Sequence, residues 1–144
     1  MERFTFEIKG EPMGKQRPKF SRAGNFVRTY TPKDTINYEQ WVKTCYLTAG
    51  GIHYGPEPIG IEVDIYYKIP KSFSNKKKEE AKRGDIVPTI KPDCDNVLKI
   101  ICDSLNGIAY EDDKQIAEAT IKKHYSEEPR VVVRIATLDG VKRA

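Results

Sequence analysis

A chain of 144 residues, 38% of them hydrophobic, can bury one core and is too short for two. Its longest apolar runs, such as Val131-Val132-Val133, fall far below the ~20 residues that a membrane-spanning helix needs, and its alternating N-terminus lacks the apolar stretch of a secretory signal. A soluble protein of net charge +4, without a membrane partner and resident in the cytoplasm, is therefore expected. Cys45, Cys94 and Cys102 are odd in number and form no Cys-x-x-Cys pair, which excludes a zinc quartet and favours reduced thiols.

In chain order, Phe4, Phe6 and Ile8 recur at period two and make Arg3 to Lys9 a strand that Gly10 ends. Residues 18–31 read as a hairpin about the turn Ala23-Gly24-Asn25, with Lys19, Arg22 and Arg28 directed outward. Its Phe20, Phe26 and Tyr30 are expected in the core, the common place for hairpin aromatics, with stacking on opened bases as their functional alternative. Asp34 to Ala49 follows as a helix: Pro32 suits its start, Ile36, Trp41, Cys45 and Tyr46 supply an apolar side, and Gly50-Gly51 stops it. Ile61, Val63, Ile65 and Tyr67 alternate in a strand from about Ile59 to Ile69. Ser74 to Arg83 predicts a short polar helix with little to bury.

Asp95 to Asn106 predicts a helix with the apolar stripe Val97, Leu98, Ile101, Cys102 and Leu105, and Asn106-Gly107 supplies its left-handed cap. Asp95, Lys99 and Asp103 occupy successive turns of its other side. Residues 114–125 and 130–138 predict two strands joined by the tight turn Ser126-Glu127-Glu128-Pro129. The expected fold is α+β: one domain over residues 1–144, with a mixed sheet of about five strands and helices packed against it.

The charge is unevenly distributed. Residues 1–33 carry eight Lys or Arg against three Glu (8 − 3 = +5), residues 68–83 carry seven against two (7 − 2 = +5), and residues 93–113 carry one against six (1 − 6 = −5). Two basic stretches around an acidic one suit a polyanionic substrate and a bound cation. Asp93-x-Asp95 precedes the buried helix and Asp112-Asp113 ends the connection after it, so four carboxylates converge if that connection doubles back. Two carboxylates ~5 Å apart repel by about 3 kcal/mol at an effective dielectric near 20, a cost that a divalent ion removes. All-oxygen ligation by few protein groups is the preference of Mg2+, with Mn2+ as its substitute. Lys99, one turn beyond Asp95, can then set its ammonium beside a reacting phosphate.

Each residue also has a plain structural role open to it. Asp93 or Asp95 can cap the helix, Asp112-Asp113 can be a solvated turn, and Asp95 to Lys99 can be a surface i,i+4 pair, with Asp103 as another partner of Lys99. A calcium loop is excluded because Leu98 stands where it needs glycine, and His53 and His124 are isolated in sequence.

The ordered set Lys91-Pro92-Asp93-Cys94-Asp95-Asn96-Val97-Leu98-Lys99, Asp103-Ser104-Leu105-Asn106-Gly107 and Asp112-Asp113-Lys114-Gln115-Ile116 closely resembles the RusA family of Holliday junction resolvases. Gly14-Lys15-Gln16-Arg17-Pro18-Lys19 is similar to that family's early basic motif, and the resemblance runs from about residue 3 to 135. It implies a homodimeric, magnesium-dependent endonuclease that nicks four-way junction DNA in pairs. By position, Asp93, Asp95 and Asp113 take the places of the catalytic acids, Asp112 is the adjacent acid that shares the metal, and Lys99 takes that of the active-site lysine. Two cuts on opposed strands agree with a two-fold dimer. Lys15, Arg17, Lys19, Arg22 and Arg28 are the expected phosphate contacts. Rival readings are a structure-selective nuclease on forks or flaps, a junction-binding protein without catalysis, and a metal-buffered structural module whose basic face binds RNA or another acidic partner.

Overall fold

The computed structural model describes residues 3–144, and its elements follow the periodicities of the chain. In order they are β1 (Phe4–Lys9), β2 (Lys19–Ala23), β3 (Phe26–Tyr30), α1 (Lys33–Thr48), β4 (Ile59–Lys68), α2 (Asn75–Arg83), α3 (Cys94–Ser104), a 3-10 turn (Asp113–Gln115), β5 (Ile116–Ser126) and β6 (Arg130–Thr137). The expected α+β class with a mixed sheet holds. Its strands divide into a four-stranded sheet of order β1-β6-β4-β5 and a separate β2-β3 hairpin.

Strict alternation in β4 sends Ile59, Ile61, Val63, Ile65 and Tyr67 to one face. Together with Phe6 and Ile8 of β1 and Val131, Val133 and Ile135 of β6, they meet Val97, Ile100 and Ile101 of α3 and Tyr38, Val42 and Tyr46 of α1 in one core. Burying each such aliphatic side chain contributes roughly 1.5–3 kcal/mol. The opposite face is polar and internally balanced: Asp64 holds both His124 and Arg134, Glu7 pairs with Arg130, and Arg3 pairs with Glu62.

Two details differ from the sequence expectation. The side that α1 buries is Thr35, Tyr38, Val42 and Tyr46, while Ile36 and Trp41 lie at its exposed rim. Trp41 is held there because its Nε1–H donates to the Lys9 carbonyl at 2.8 Å, which a helical wheel of apolar residues does not reveal. The Ser126 to Pro129 turn is present, but β5 and β6 are not neighbours. The turn steps over the end of β4, which pairs in parallel with β5 and antiparallel with β6. Two strand spacings are about 9.5 Å, which three residues span with ease.

Tyr46 anchors the end of α1. Its buried ring meets Phe4 and Phe6 edge-on, with centroids at 5.3 and 5.1 Å, and its hydroxyl donates to the Ile52 carbonyl. A Cβ at Gly51 would lie 2.3 Å from that ring. Gly51→Ala must therefore displace Tyr46 from the core. The expected result is a loss of about 1–3 kcal/mol, the cost of overpacking, read as a melting temperature lower by several degrees.

Candidate active site

α3 enters the site through Lys91–Pro92, a cis peptide, and the Tyr67 hydroxyl of β4 donates to the Pro92 carbonyl. Asp93 follows in extended conformation as the residue before the helix, and its carboxylate makes no capping hydrogen bond, although its carbonyl accepts from Val97 N–H at 3.1 Å. The capping role open to this residue from sequence is thus not used by its side chain. The segment around Gly14 lies directly on this helix start. Lys15 N–H donates to the Asn96 carbonyl at 2.9 Å, and a Cβ at Gly14 would come within 2.9 Å of Asn96 Cβ and 3.1 Å of Pro92 Cβ, so only glycine permits the approach.

The second half of the site comes from the connection after α3. Asp112 Oδ1 accepts from Lys114 N–H at 2.9 Å, while Gln115 Oε1 accepts from the Glu111 and Asp112 amides at 2.8 and 2.9 Å, a reciprocal capping box. Gln115 Nε2 also donates to the Gly55 and Glu57 carbonyls, which ties the turn to the segment before β4. Asn106, at the end of α3, accepts from Asp113 N–H at 2.9 Å through Oδ1. The connection therefore doubles back beside the helix, as the acidic spacing required.

These two halves enclose an opening of about 370 Å³ lined by Asp95, Leu98, Lys99, Cys102, Asp113, Ile116 and Ala119. Burial, then the neighbouring Asp112 and Asp103 carboxyls, raise the Asp113 carboxyl above the usual carboxylate range. The Lys114 amide holds the Asp112 carboxyl below that range, so the two carboxyls of the pair are pushed in opposite directions. Burial pushes the Cys102 thiol up to about 12, which leaves it protonated and without nucleophilic character. Asp103 lies between two cations: Lys15 Nζ at 3.3 Å, which also meets Glu39 at 3.1 Å, and Lys99 Nζ at 3.5 Å.

Asp95, Lys99 and Asp113 are thus brought together, with Asp112 adjacent. Asp93 lines the neighbouring groove of about 530 Å³, with Lys15, Gln16, Lys91 and Asn96. Among the described residues, no three His, Cys, Asp or Glu side chains are close enough to hold one metal ion. The donor set nonetheless fits a hard divalent cation, because it is all carboxylate and the like-charge pressure on Asp113 is what a cation would relieve. Of the five expected phosphate contacts, Arg17, Lys19, Arg22 and Arg28 are exposed. Lys15 is different: its side chain is only 22% exposed and flanked by two carboxylates, which suits it to fastening the basic segment onto α1 and α3.

Sequence reasoning missed three supports of the site. Glu39 reads as one more polar residue of α1, Asn106 reads only as a helix cap, and Tyr67 reads only as an alternating core residue. Nothing local marks their partners, which lie 24, 7 and 25 residues away.

The chain is similar to known proteins over nearly its whole length. The family profile described as Endodeoxyribonuclease RusA matches residues 9–136. A protein of Bacillus subtilis (strain 168), described as uncharacterized protein YqaN, is 39% identical over 142 residues, covering 94% of this chain and 96% of its own. The chain belongs to the RusA endodeoxyribonuclease family, and its class of activity is the cutting of DNA within a strand. No helix among the described residues is long and apolar enough to cross a membrane.

Proposed function

We propose that the protein is a magnesium-dependent endodeoxyribonuclease that acts as a homodimer, resolves four-way DNA junctions by paired nicks, and serves DNA recombination and repair. The observation that carries this reading is the opening that Asp95 and Lys99 of α3 share with Asp113 of the 3-10 turn, within a chain of this family. Asp95 and Asp113, which line the same opening, would be ligands of the ion, and Asp93 from the neighbouring groove and Asp112, one of whose oxygens already caps the 3-10 turn, would complete the set as the carboxylates draw in around it. When bound, Mg2+ supplies Lewis acidity and a hydroxide at neutral pH, with Mn2+ able to replace it.

The chain's own residues prepare the rest. Lys99 stands 60% exposed at the mouth of the opening, where its ammonium opposes the charge that develops on the scissile phosphate. Asn106 and Gln115 fix the backbone that carries Asp113. Lys15 holds the basic segment in place, and Arg17, Lys19, Arg22 and Arg28 bind the DNA backbone, Arg by bidentate contact to phosphate.

The test is cleavage of a mobile four-way junction, a fork and a linear duplex, with magnesium and with chelator. Magnesium-dependent cutting confined to the junction is expected. Equal cutting of forks would favour a general structure-selective nuclease, and junction binding without cutting would leave a junction-binding protein.

A further inference from the structure

The β2-β3 hairpin is the part of the molecule that the active site does not explain. All its described strand side chains are exposed, against the expectation that its aromatics join the core. Phe20 and Phe26 are 73% and 76% exposed, and Val27 and Tyr30 are also open to solvent, so four of the eleven exposed large hydrophobic residues among those described fall in this one element. The physical reason is reach. The hairpin pairs only with itself, and the core is already closed by α1, α3 and the sheet. Exposed apolar surface concentrated in this way marks a binding surface.

The charge of the segment narrows the partner. Between Glu11 and Asp34 there is no acidic residue, while Lys15, Arg17, Lys19, Arg22, Arg28 and Lys33 are all cationic. The partner is therefore an anion that also offers flat apolar faces. The register distributes both kinds of side chain over both faces of the hairpin. Lys19 opposes Tyr30 and Ser21 opposes Arg28 on one, which Phe26 shares, while Phe20 opposes Thr29 and Arg22 opposes Val27 on the other. A hairpin lying on a lipid surface would gather its apolar residues on one side. One that enters between nucleic-acid strands meets bases and phosphates on both. Gly24, with φ +62, makes the tight turn that sets Phe26 at the tip.

Position supports the same partner. Lys15 is fastened to Asp103 beside the opening, and four residues later the hairpin begins, so at most about 14 Å of chain separate them. We propose that the hairpin is a branch-point wedge: Phe26 at its tip stacks on bases at the opened centre of the junction, Phe20 offers a second apolar surface on the other face, and Arg22 and Arg28 grip the flanking phosphates. This rests on the junction reading above and assigns the element that selects the substrate. Apolar wedges of this kind unstack a base step and kink the duplex, and aromatic stacking tolerates any base.

The experiment uses the full chain and four-way junctions carrying 2-aminopurine next to the branch point, with Ca2+ in place of Mg2+ during the fluorescence measurement. Wild type should raise the fluorescence several-fold, and Phe26→Ala should lose most of that rise while Phe26→Tyr keeps it. With Mg2+, Phe26→Ala should cut the intact junction at least ~10-fold more slowly, the scale of one lost stacked base, and should cut a junction with unpaired nucleotides built into its centre within about twofold of wild type. An unchanged fluorescence rise, equal slowing on both junctions, or a loss of dimer on gel filtration would overturn the wedge, the last pointing to a contact between copies. A wild type that opens the junction without cutting it would uphold the wedge and sink the nuclease reading. One that cuts junctions without opening them would do the reverse.

Discussion

Asp95→Asn will abolish junction cleavage, by on the order of a thousandfold, the scale of losing a charged group at a reacting centre. Asp95 stands exposed in the first turn of α3, and the substitution removes only its charge. The stability change is confined to the favourable placement of an acid near a helix N-terminus, about 0.3–1 kcal/mol. Junction binding should persist and strengthen slightly, because one negative charge facing the DNA is gone. Cleavage rates and gel-shift titrations of the same preparation separate the two effects. A variant that cuts at the normal rate would remove Asp95 from the site.

Asp113→Asn should also abolish cleavage, yet raise stability when metal is absent. The Asp113 carboxyl is raised in the folded protein by burial and by Asp112 and Asp103. For a raised acid, the folded state binds the proton more tightly than the unfolded chain, so metal-free stability falls as the pH rises through the titration range of Asp113. The neutral amide removes that loss at neutral pH. With a gain of about 0.5–1 kcal/mol, typical of a partly exposed charge interaction, the melting temperature should rise by roughly 1–4 °C. Added magnesium should stabilise wild type and leave the variant unmoved. Thermal melts with and without magnesium, from acid to neutral pH, provide the check, and a variant that melts lower without metal would contradict the origin assigned to the shift.

The legible parts of this protein are those governed by local rules. The alternation of β4, the stripe of α3 and its Asn106-Gly107 end each require only neighbours in sequence, and each is found within a residue or two of its expected bounds. The stripe itself shifts slightly: Ile100 is buried, and Leu98 turns towards the opening. The convergence of Asp95 with Asp113 was legible because a helix and a returning connection leave little choice. The separation of Asp93 into the next groove was not, since it depends on where the Gly14-Lys15 segment crosses the start of α3. Likewise the exposure of Phe20 and Phe26 depends on a core that other elements have already filled, which no property of residues 18–31 announces.

The placement of β5 gives the site a mechanical asymmetry. Asp95 and Lys99 ride on a helix whose inner residues Val97, Ile100 and Ile101 are fully buried, so their backbone moves only if the core does. Asp113 rides on a short turn that leads into β5, a strand laddered to β4 along one edge only and exposed from Ala117 to Thr120. Edge strands open at a fraction of the cost of global unfolding. One half of the site is thus held by the apolar core and the other by the polar ties of Asn106 and Gln115, so a docked phosphate meets one jaw set by packing and one set by hydrogen bonds.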